Sequence, residues 1–496
     1  MGSGASAAPS PRRGPQRGQR SSKRWSAAAP ISEFVHEDLI RHRDGRIADF
    51  YDCEAAVIGQ GRHAAVFKAT KKGTTRSRAV KSVAKKTIPP DELDRVRHSI
   101  NLLRGLDHPN IIKLFDTFED RRCLYLVTEL CTGGELYDRV VSQRRGQPEP
   151  EAAQIMQQIV RAVFYLHSNN IMHRDISPDN FLFASREAAD CHDLKLSSLN
   201  DAVKFKPGQT KHTPCGTTLY SSPQMLNGRY DAATDMWSCG VVMYTIVLGV
   251  PPFAGSVENE VLDSIRSGCF RTDVPGWDTL SDDAKDVLEK MLEHDPKKRI
   301  SPRVALEHKW MSSAPKNEAT AIQQSTIANM RQFRAANRLK RAALHTIAQQ
   351  LDDSHLRGLR ELFVSLDRDG DGSLTAAELQ EGFLKAGLEH VPSDLIELME
   401  GMDSDGSGRI DYTEFLAAAM DKRMYITEEF CWMAFRVFDI SGTGRISKEE
   451  LAQVLMPDET DAMADRMAGE IMKQIDTMGD GVIDFPEFFA MMRSDR

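Results

Sequence analysis

Residues 171–183 read IMHRDISPDNFLF: His173, Arg174 and Asp175 stand together, Asn180 follows, and apolar residues frame both ends. This has the pattern of a catalytic loop. Other short motifs lie on either side in a fixed order. Upstream are IGQGRHAAVF (58–67), RAVKSV (78–83) and LVTELCTGGELYD (126–138); downstream are LKLSSLNDAV (194–203), CGTTLYSSPQML (215–226), DMWSCGVVMY (235–244) and DPKKRIS (295–301). From residue 51 onward the chain reads as strands first and helices later, which predicts an α+β domain.

The 496 residues leave room for more than one core. The net charge of -8 is unevenly split. Of 72 acidic and 64 basic residues, 32 acidic and 14 basic fall in 351–496, so an acidic C-terminal part follows a mildly basic N-terminal one. The 8 cysteines form no CxxC pair and no apolar signal segment opens the chain, which points to a reduced, cytoplasmic setting. The apolar run at 236–255 is broken by glycine and proline and predicts a buried core helix rather than a membrane span. Residues 1–50 are expected to form a basic, disordered tail, with six cations and no acid in 1–30. The opening MGSGAS offers Gly2 as a myristoylation acceptor, and tail charge would supply a second, peripheral membrane contact.

The last third carries a repeat. Windows beginning at Asp367, Asp403, Asp439 and Asp476 span 367–378, 403–414, 439–450 and 476–487, each flanked by helical apolar periodicity. The first places Asp367, Asp369 and Asp371 at positions one, three and five, the Ser373 carbonyl at seven and Glu378 at twelve. The second places Asp403, Asp405, Ser407, the Arg409 carbonyl and Glu414 in the same order, with Asp411 able to act through a water. Oxygen ligands in this order suit calcium. The third loop offers Asp439, Ser441, Thr443, Arg445 and Glu450, and the fourth Asp476, Asp480, Val482, Asp484 and Glu487 with Met478 at position three. Fewer charged ligands rank the third loop weakest and the first two strongest. Between the two regions, 327–351 carries five cations and no acid, and its apolar residues can share one helical face, as a calmodulin target does.

Together these motifs resemble the calcium-dependent protein kinase family over residues 51–496. The resemblance implies a bilobal kinase domain (51–311), an autoinhibitory junction helix (312–350) and an all-α, calmodulin-like domain of four EF-hands (351–496). For the kinase domain it implies ATP held by Gly59, Gly61, Val66, Ala79 and Lys81. Glu129 and Cys131 would serve as the hinge, and Glu135 would meet ribose or a basic substrate residue. Asp175 is the expected catalytic base and Asn180 a metal ligand.

Four departures fall on the chemistry. Ser198 replaces the aspartate expected to bind magnesium, Ser99 the glutamate expected to pair with Lys81, Ser177 the lysine of the catalytic loop, and Gln224 the glutamate expected to meet Arg299. Phosphoryl transfer rests on positioning and charge stabilisation. By analogy with losing one preorganised donor, each loss costs about 10² to 10³ in rate. The leading expectation is a calcium-responsive pseudokinase or very weak kinase that acts through conformation and a protein partner. The alternative is an active calcium-regulated serine/threonine kinase acting on basic-motif substrates. Neither Asp201 nor Glu92 is expected to replace the missing carboxylates.

Overall fold

The computed structural model describes residues 1, 41–43, 45–61, 63–142, 146–186, 193–314, 322–351, 353–385, 394–456 and 460–494. Residues 2–40 of the expected tail, Gly2 included, lie outside them, as do residues 315–321 at the start of the junction region; the end of that tail is not the disordered segment expected, since Arg41–Arg43 pair as a strand and Ile47–Phe50 form a short helix. Among the described residues no helix is long and apolar enough to cross a membrane.

Six strands build the N-terminal lobe: β1 (Arg41–Arg43), β2 (Tyr51–Gln60), β3 (Ala64–Lys71), β4 (Ser77–Ala84), β5 (Leu114–Glu119) and β6 (Cys123–Thr128). Their order is β1-β5-β6-β4-β3-β2, with β1 parallel to β5 and every other neighbour antiparallel. Helix α1 (Pro90–Arg104) starts on Pro90, carries Asp91 and Glu92 in its first turn and ends at Gly105. Its buried face runs Val96, Ser99, Ile100 and Leu103, so Ser99 occupies the stripe that meets the lobe's core.

The C-terminal lobe is centred on α2 (Glu149–Ser168) and α3 (Ala233–Leu248). As expected from its apolar sequence, α3 is buried almost all round, and it stops at Gly249, whose φ of 70° suits glycine. Two small ladders frame the cleft: β7 (Ile171–Met172) pairs with β10 (Val203–Lys204), and β8 (Phe181–Phe183) with β9 (Leu194–Leu196). These ladders bring residues 173–180 and 197–202 beside one another.

The expected single helical face over 327–351 is corrected: the segment forms two helices, α4 (Gln324–Ala335) and α5 (Arg338–Gln350). Ala336 is extended (φ -70°, ψ 150°), and Asn337 caps α5 by accepting from the Lys340 N–H at 2.9 Å. A good N-cap residue inside a polar, basic run restarts the helix in a new direction. Both helices nevertheless bury their apolar residues in one core with the C-terminal region. Met330, Phe333, Leu339 and Ile347 are at most 2% exposed and share that core with Phe363, Phe415 and Phe435. Each such side chain contributes roughly 1.5–3 kcal/mol relative to exposure, so α4 and α5 form part of the calcium-loop core.

The loops pair through two further ladders. Strand β11 (Ser373–Leu374) meets β12 (Ile410–Asp411), and β13 (Arg445–Ser447) meets β14 (Val482–Asp484). Helices α6 (Tyr412–Ala419) and α7 (Glu428–Phe438) leave the second loop and enter the third.

Candidate functional site

In the cleft, Asp175 is fixed from three directions. Its Oδ1 accepts from the Thr217 N–H at 2.7 Å, its Oδ2 from Asn180 Nδ2 at 2.9 Å, and its carbonyl from the same Nδ2 at 2.8 Å. Beneath the loop, buried Asp235 accepts from the backbone N–H groups of His173 at 2.9 Å and Arg174 at 2.8 Å, with His167 Nε2 also at 2.8 Å. Burial alone would raise the Asp235 pKa, but His167, His173 and these hydrogen bonds hold it below the ordinary carboxylate value. Arg174 has φ +70°, an uncommon conformation for a non-glycine residue. It is held there by Asp235 and by bonds from its guanidinium to the Asp201 carbonyl (2.5 Å) and the Tyr230 hydroxyl (3.0 Å).

Gly59 pairs with Val66 across β2 and β3, and the Gly61 N–H closes the turn onto the Ala64 carbonyl at 2.8 Å. Lys81 lies on β4 between Val66 and Leu126, while Ala79 pairs with Thr128 next to the hinge. Burial lowers the Lys81 pKa, and among the described residues no carboxylate lies within ion-pair distance of it. Glu92 pairs instead with His63 at 3.4 Å. Ser177 is 1% exposed and takes a 3.3 Å contact from Asn180 Nδ2. Ser198 presents its backbone carbonyl to His173 Nε2 at 2.7 Å, and Leu199 next to it is fully buried.

Other pairings were not foreseen in the sequence. Arg95, one turn before Ser99 on α1, reaches Asp201 at 3.4 Å. Burial, and then the Asp175 charge, raise the Asp201 pKa. The Glu129 side chain pairs with Lys195 at 3.1 Å and accepts from the Lys113 N–H at 2.7 Å, while its own N–H donates to the Lys113 carbonyl at 3.0 Å and its carbonyl accepts from the Thr128 hydroxyl at 3.2 Å. Cys131 follows it on the same hinge segment. Burial, with Asp138 and Asp179 nearby, raises the Glu135 pKa. Gln224 still receives Arg299 Nη2 at 2.9 Å, so the position retains its hydrogen bond without a second charge.

All four loops share one skeleton. The N–H of the sixth residue donates to the first aspartate at 3.2, 2.8, 2.9 and 2.9 Å in Gly372, Gly408, Gly444 and Gly481. These glycines have φ between 78° and 84°, as the sharp turn requires. The last glutamates fold back onto early backbone N–H groups: Glu378 onto Arg368 (3.0 Å), Glu414 onto Ser404 (2.6 Å), Glu450 onto Ser441 (2.9 Å) and Glu487 onto Thr477 (2.8 Å). Ligand oxygens converge within 4.8 Å in Asp367, Asp369 and Asp371, and again in Asp403, Asp405 and Glu414. Burial first, then neighbouring carboxylates, push Asp367 up to about 7 and Asp411 up to about 8. Crowded, buried carboxylates of this kind fit a bound divalent cation. In the other two loops backbone hydrogen bonds hold Glu450, Asp476 and Glu487 low, although burial opposes this at the glutamates.

Arg409 does more than supply a carbonyl. Its guanidinium enters the first loop and contacts Asp371 and the Ser373 hydroxyl, the latter at 3.0 Å. Arg445 leans on Asp480 of the fourth loop in the same way at 3.7 Å.

The loops also touch the kinase lobes. Asp107 accepts from the Thr413 N–H (2.5 Å) and hydroxyl (2.9 Å), and Arg360 pairs with Asp193. A Cβ on Gly372 would lie 2.6 Å from His108 and 2.7 Å from Tyr165, so the first loop backs directly onto the C-terminal lobe. At the other end, the Gln350 carbonyl closing α5 accepts from Arg76 and from Arg78 Nη2 at 2.9 Å, and the Ala348 carbonyl from Lys113 Nζ at 3.3 Å. Three cations thus meet the negative end of the α5 dipole. The basic residues facing the other way meet acids of the second EF-hand: Arg331 reaches Asp394 at 2.9 Å and Arg334 reaches Glu397 at 2.6 Å.

The protein kinase domain family matches residues 53–311, and the EF-hand domain pair family matches 356–420 and 428–493. The EF-hand match implies calcium binding, and the kinase match implies ATP and protein substrates. Among curated relatives, calcium-dependent protein kinase 3 of Plasmodium berghei is 36% identical over 93% of this chain and 83% of its own length. Calcium-dependent protein kinase 5 of Plasmodium falciparum is 35% identical, over 93% of this chain and 81% of its own. Calcium-dependent protein kinase 33 of Arabidopsis thaliana is 34% identical over 96% and 89%. With a kinase domain joined to two EF-hand pairs and relatives aligned along nearly its whole length, the chain belongs to the calcium-dependent protein kinase family.

Proposed function

We propose that this protein is a calcium-responsive pseudokinase, or a very weak kinase, that signals through conformation and a protein partner. The carrying observation is the pair of serines at Ser99 and Ser198, with Lys81 part-buried and no carboxylate beside it among the described residues. The cleft does not fit magnesium well, because the carboxylate expected at position 198 is a hydroxyl. The nucleotide site is better preserved. Gly59, Gly61, Val66, Ala79 and the hinge backbone of Glu129 and Cys131 would hold ATP, whose γ-phosphate is the group available for transfer.

On this reading the domains divide as 51–311, 312–350 and 351–496. Calcium in the first two loops favours α4 and α5 in the core they share with the EF-hands, away from the kinase cleft. Their basic faces would rest against the kinase lobes when calcium is absent. Tail cations and Gly2 would give peripheral membrane contact to an otherwise cytoplasmic protein. One observation favours the active-kinase alternative: Asp175 and Asn180 are already joined at 2.9 Å, and Asp201 lies close enough for Asp175 to raise its pKa.

The test restores the missing groups. Ser198→Asp, Ser99→Glu and Ser177→Lys together should raise calcium-stimulated transfer from radiolabelled ATP to a basic peptide by at least tenfold, whereas each alone does little, because such groups act as a unit. A triple variant no faster than its parent, although folded, contradicts this reading of the serines.

A further inference from the structure

The first calcium loop differs from the other three in what lies against it. A Cβ on Gly370, its fourth residue, would stand 2.8 Å from Leu306 Cδ1, 3.1 Å from Arg161 Cγ and 3.5 Å from Arg161 Nε, all on the C-terminal lobe of the kinase domain. Gly442 and Gly479 hold the same place in the third and fourth loops, and there nothing among the described residues comes within 4 Å. The same contrast separates Gly372, against His108 and Tyr165, from the open positions of Gly408, Gly444 and Gly481. As a result Asp371 is buried, at 8% exposure, whereas Ser407, Thr443 and Asp480 at the same loop position are exposed.

Arginines line the enclosed loop. Arg161, on α2, crosses Gly370, whose N–H donates to Asp367 Oδ1 at 2.9 Å. Arg303 lies on the short helix Pro302–Leu306, which also brings Leu306 to the loop. Burial, the largest influence, raises the carboxyls of Asp367 and Asp369; against it the Arg161 charge lowers Asp367 and the Arg303 charge lowers Asp369. Arg409 of the second loop contacts Asp371. Each of the three aspartates therefore has its own arginine, and two of these belong to the kinase domain. Arg161 is the more committed of the two, because Asp367 is the carboxylate that raises its pKa against burial. The Arg303 side chain is 62% exposed and shared with Glu307 at 3.3 Å, so its field is screened.

Calcium brings two positive charges into this space, and a cation fixed beside the ligands opposes it. We propose that Arg161, seconded by Arg303, sets the calcium affinity of the first loop from the kinase side, holding it below what the loop's own carboxylates would give. Such coupling is reciprocal, so calcium in this loop loosens its seat on the C-terminal lobe by the same factor. The loop richest in carboxylates is thus tuned by the domain it regulates, and this holds whether or not phosphate transfer survives.

The test titrates calcium calorimetrically into the full chain at about pH 8.5, above the value of about 7 to which burial pushes Asp367, so that protons do not compete for the ligands. Arg161→Gln should tighten one site roughly tenfold, a factor usual for coupled sites. Arg161→Lys, which keeps the charge, should stay close to the parent. The gain should vanish in a Glu378→Gln background, which assigns it to the first loop. Arg303→Gln, at an exposed position where the change spares the packing, should give a smaller gain of about twofold, also lost with Glu378→Gln. Unchanged or weaker affinity in folded Arg161→Gln, an equal gain in Arg161→Lys, or a gain that survives Glu378→Gln would each overturn the proposal. If Arg161→Gln does not fold, unchanged affinity in Arg303→Gln overturns it.

Discussion

Asp107 of the kinase domain caps the helix that leaves the second calcium loop, accepting from both the N–H and the hydroxyl of Thr413. Both residues are buried, at 6% and 3% exposure. The carboxylate sits at the positive end of the helix dipole and takes a first-turn N–H that has no partner within the helix, beside the Asp411–Glu414 capping box. This joins the geometry of a calcium loop to the kinase lobe without a flexible intermediary.

Asp107→Ala should therefore loosen α6. Hydrogen bonds to a charged group contribute about 1.5–3 kcal/mol, so amide exchange at residues 412–419 should quicken roughly ten- to hundredfold in the calcium-loaded chain. Thr413→Ala, which loses only the hydroxyl contact, should have a smaller effect. Unchanged exchange in Asp107→Ala would remove this contact from the account of coupling.

Arg409 competes with calcium for Asp371. Replacing it with alanine leaves the backbone carbonyl at position seven in place and removes the competing cation. The pair is half exposed on the arginine side, at 50%, so its worth is discounted to about 0.2–1 kcal/mol. Calorimetry should show the first loop binding calcium up to about fivefold more tightly in Arg409→Ala. Equal or weaker affinity would mean that the arginine does not occupy the loop in solution.

Asp235 holds the catalytic loop from below, and its pKa is depressed in the folded chain. A depressed carboxylate stabilises the fold in full above its unfolded value of about 3.9, and that stabilisation disappears as pH falls through the folded pKa. Asp235→Asn should thus be destabilised at pH 7, with the gap to the parent narrowing below about pH 4. A gap that did not narrow with acidification would show that the Asp235 charge is not the source of the stability.

Much of this was legible in the chain. HRD at 173–175, Asn180 and the four loop windows carry their meaning in residue order, because a glycine-turned loop or a catalytic loop is a local structure. The long-range pairings were not. Nothing in the order of residues joins Arg95 to Asp201 or sends the Arg409 side chain into a neighbouring loop, since those contacts follow from how helices and ladders pack. The break at Ala336 was hidden for a different reason. The apolar spacing of 327–351 fits one helix, and only the capping geometry of Asn337 shows where it restarts.

The conformational reading places the whole burden on missing groups in the cleft. The direct measurement is transfer of radiolabelled phosphate from ATP to a basic peptide by the full chain, with calcium and with chelator, beside Asp175→Asn as a contamination control. The account predicts transfer several orders of magnitude slower than an intact relative, and no difference between the parent and Asp175→Asn beyond background. Robust calcium-stimulated transfer that disappears in Asp175→Asn would contradict it and establish an active kinase.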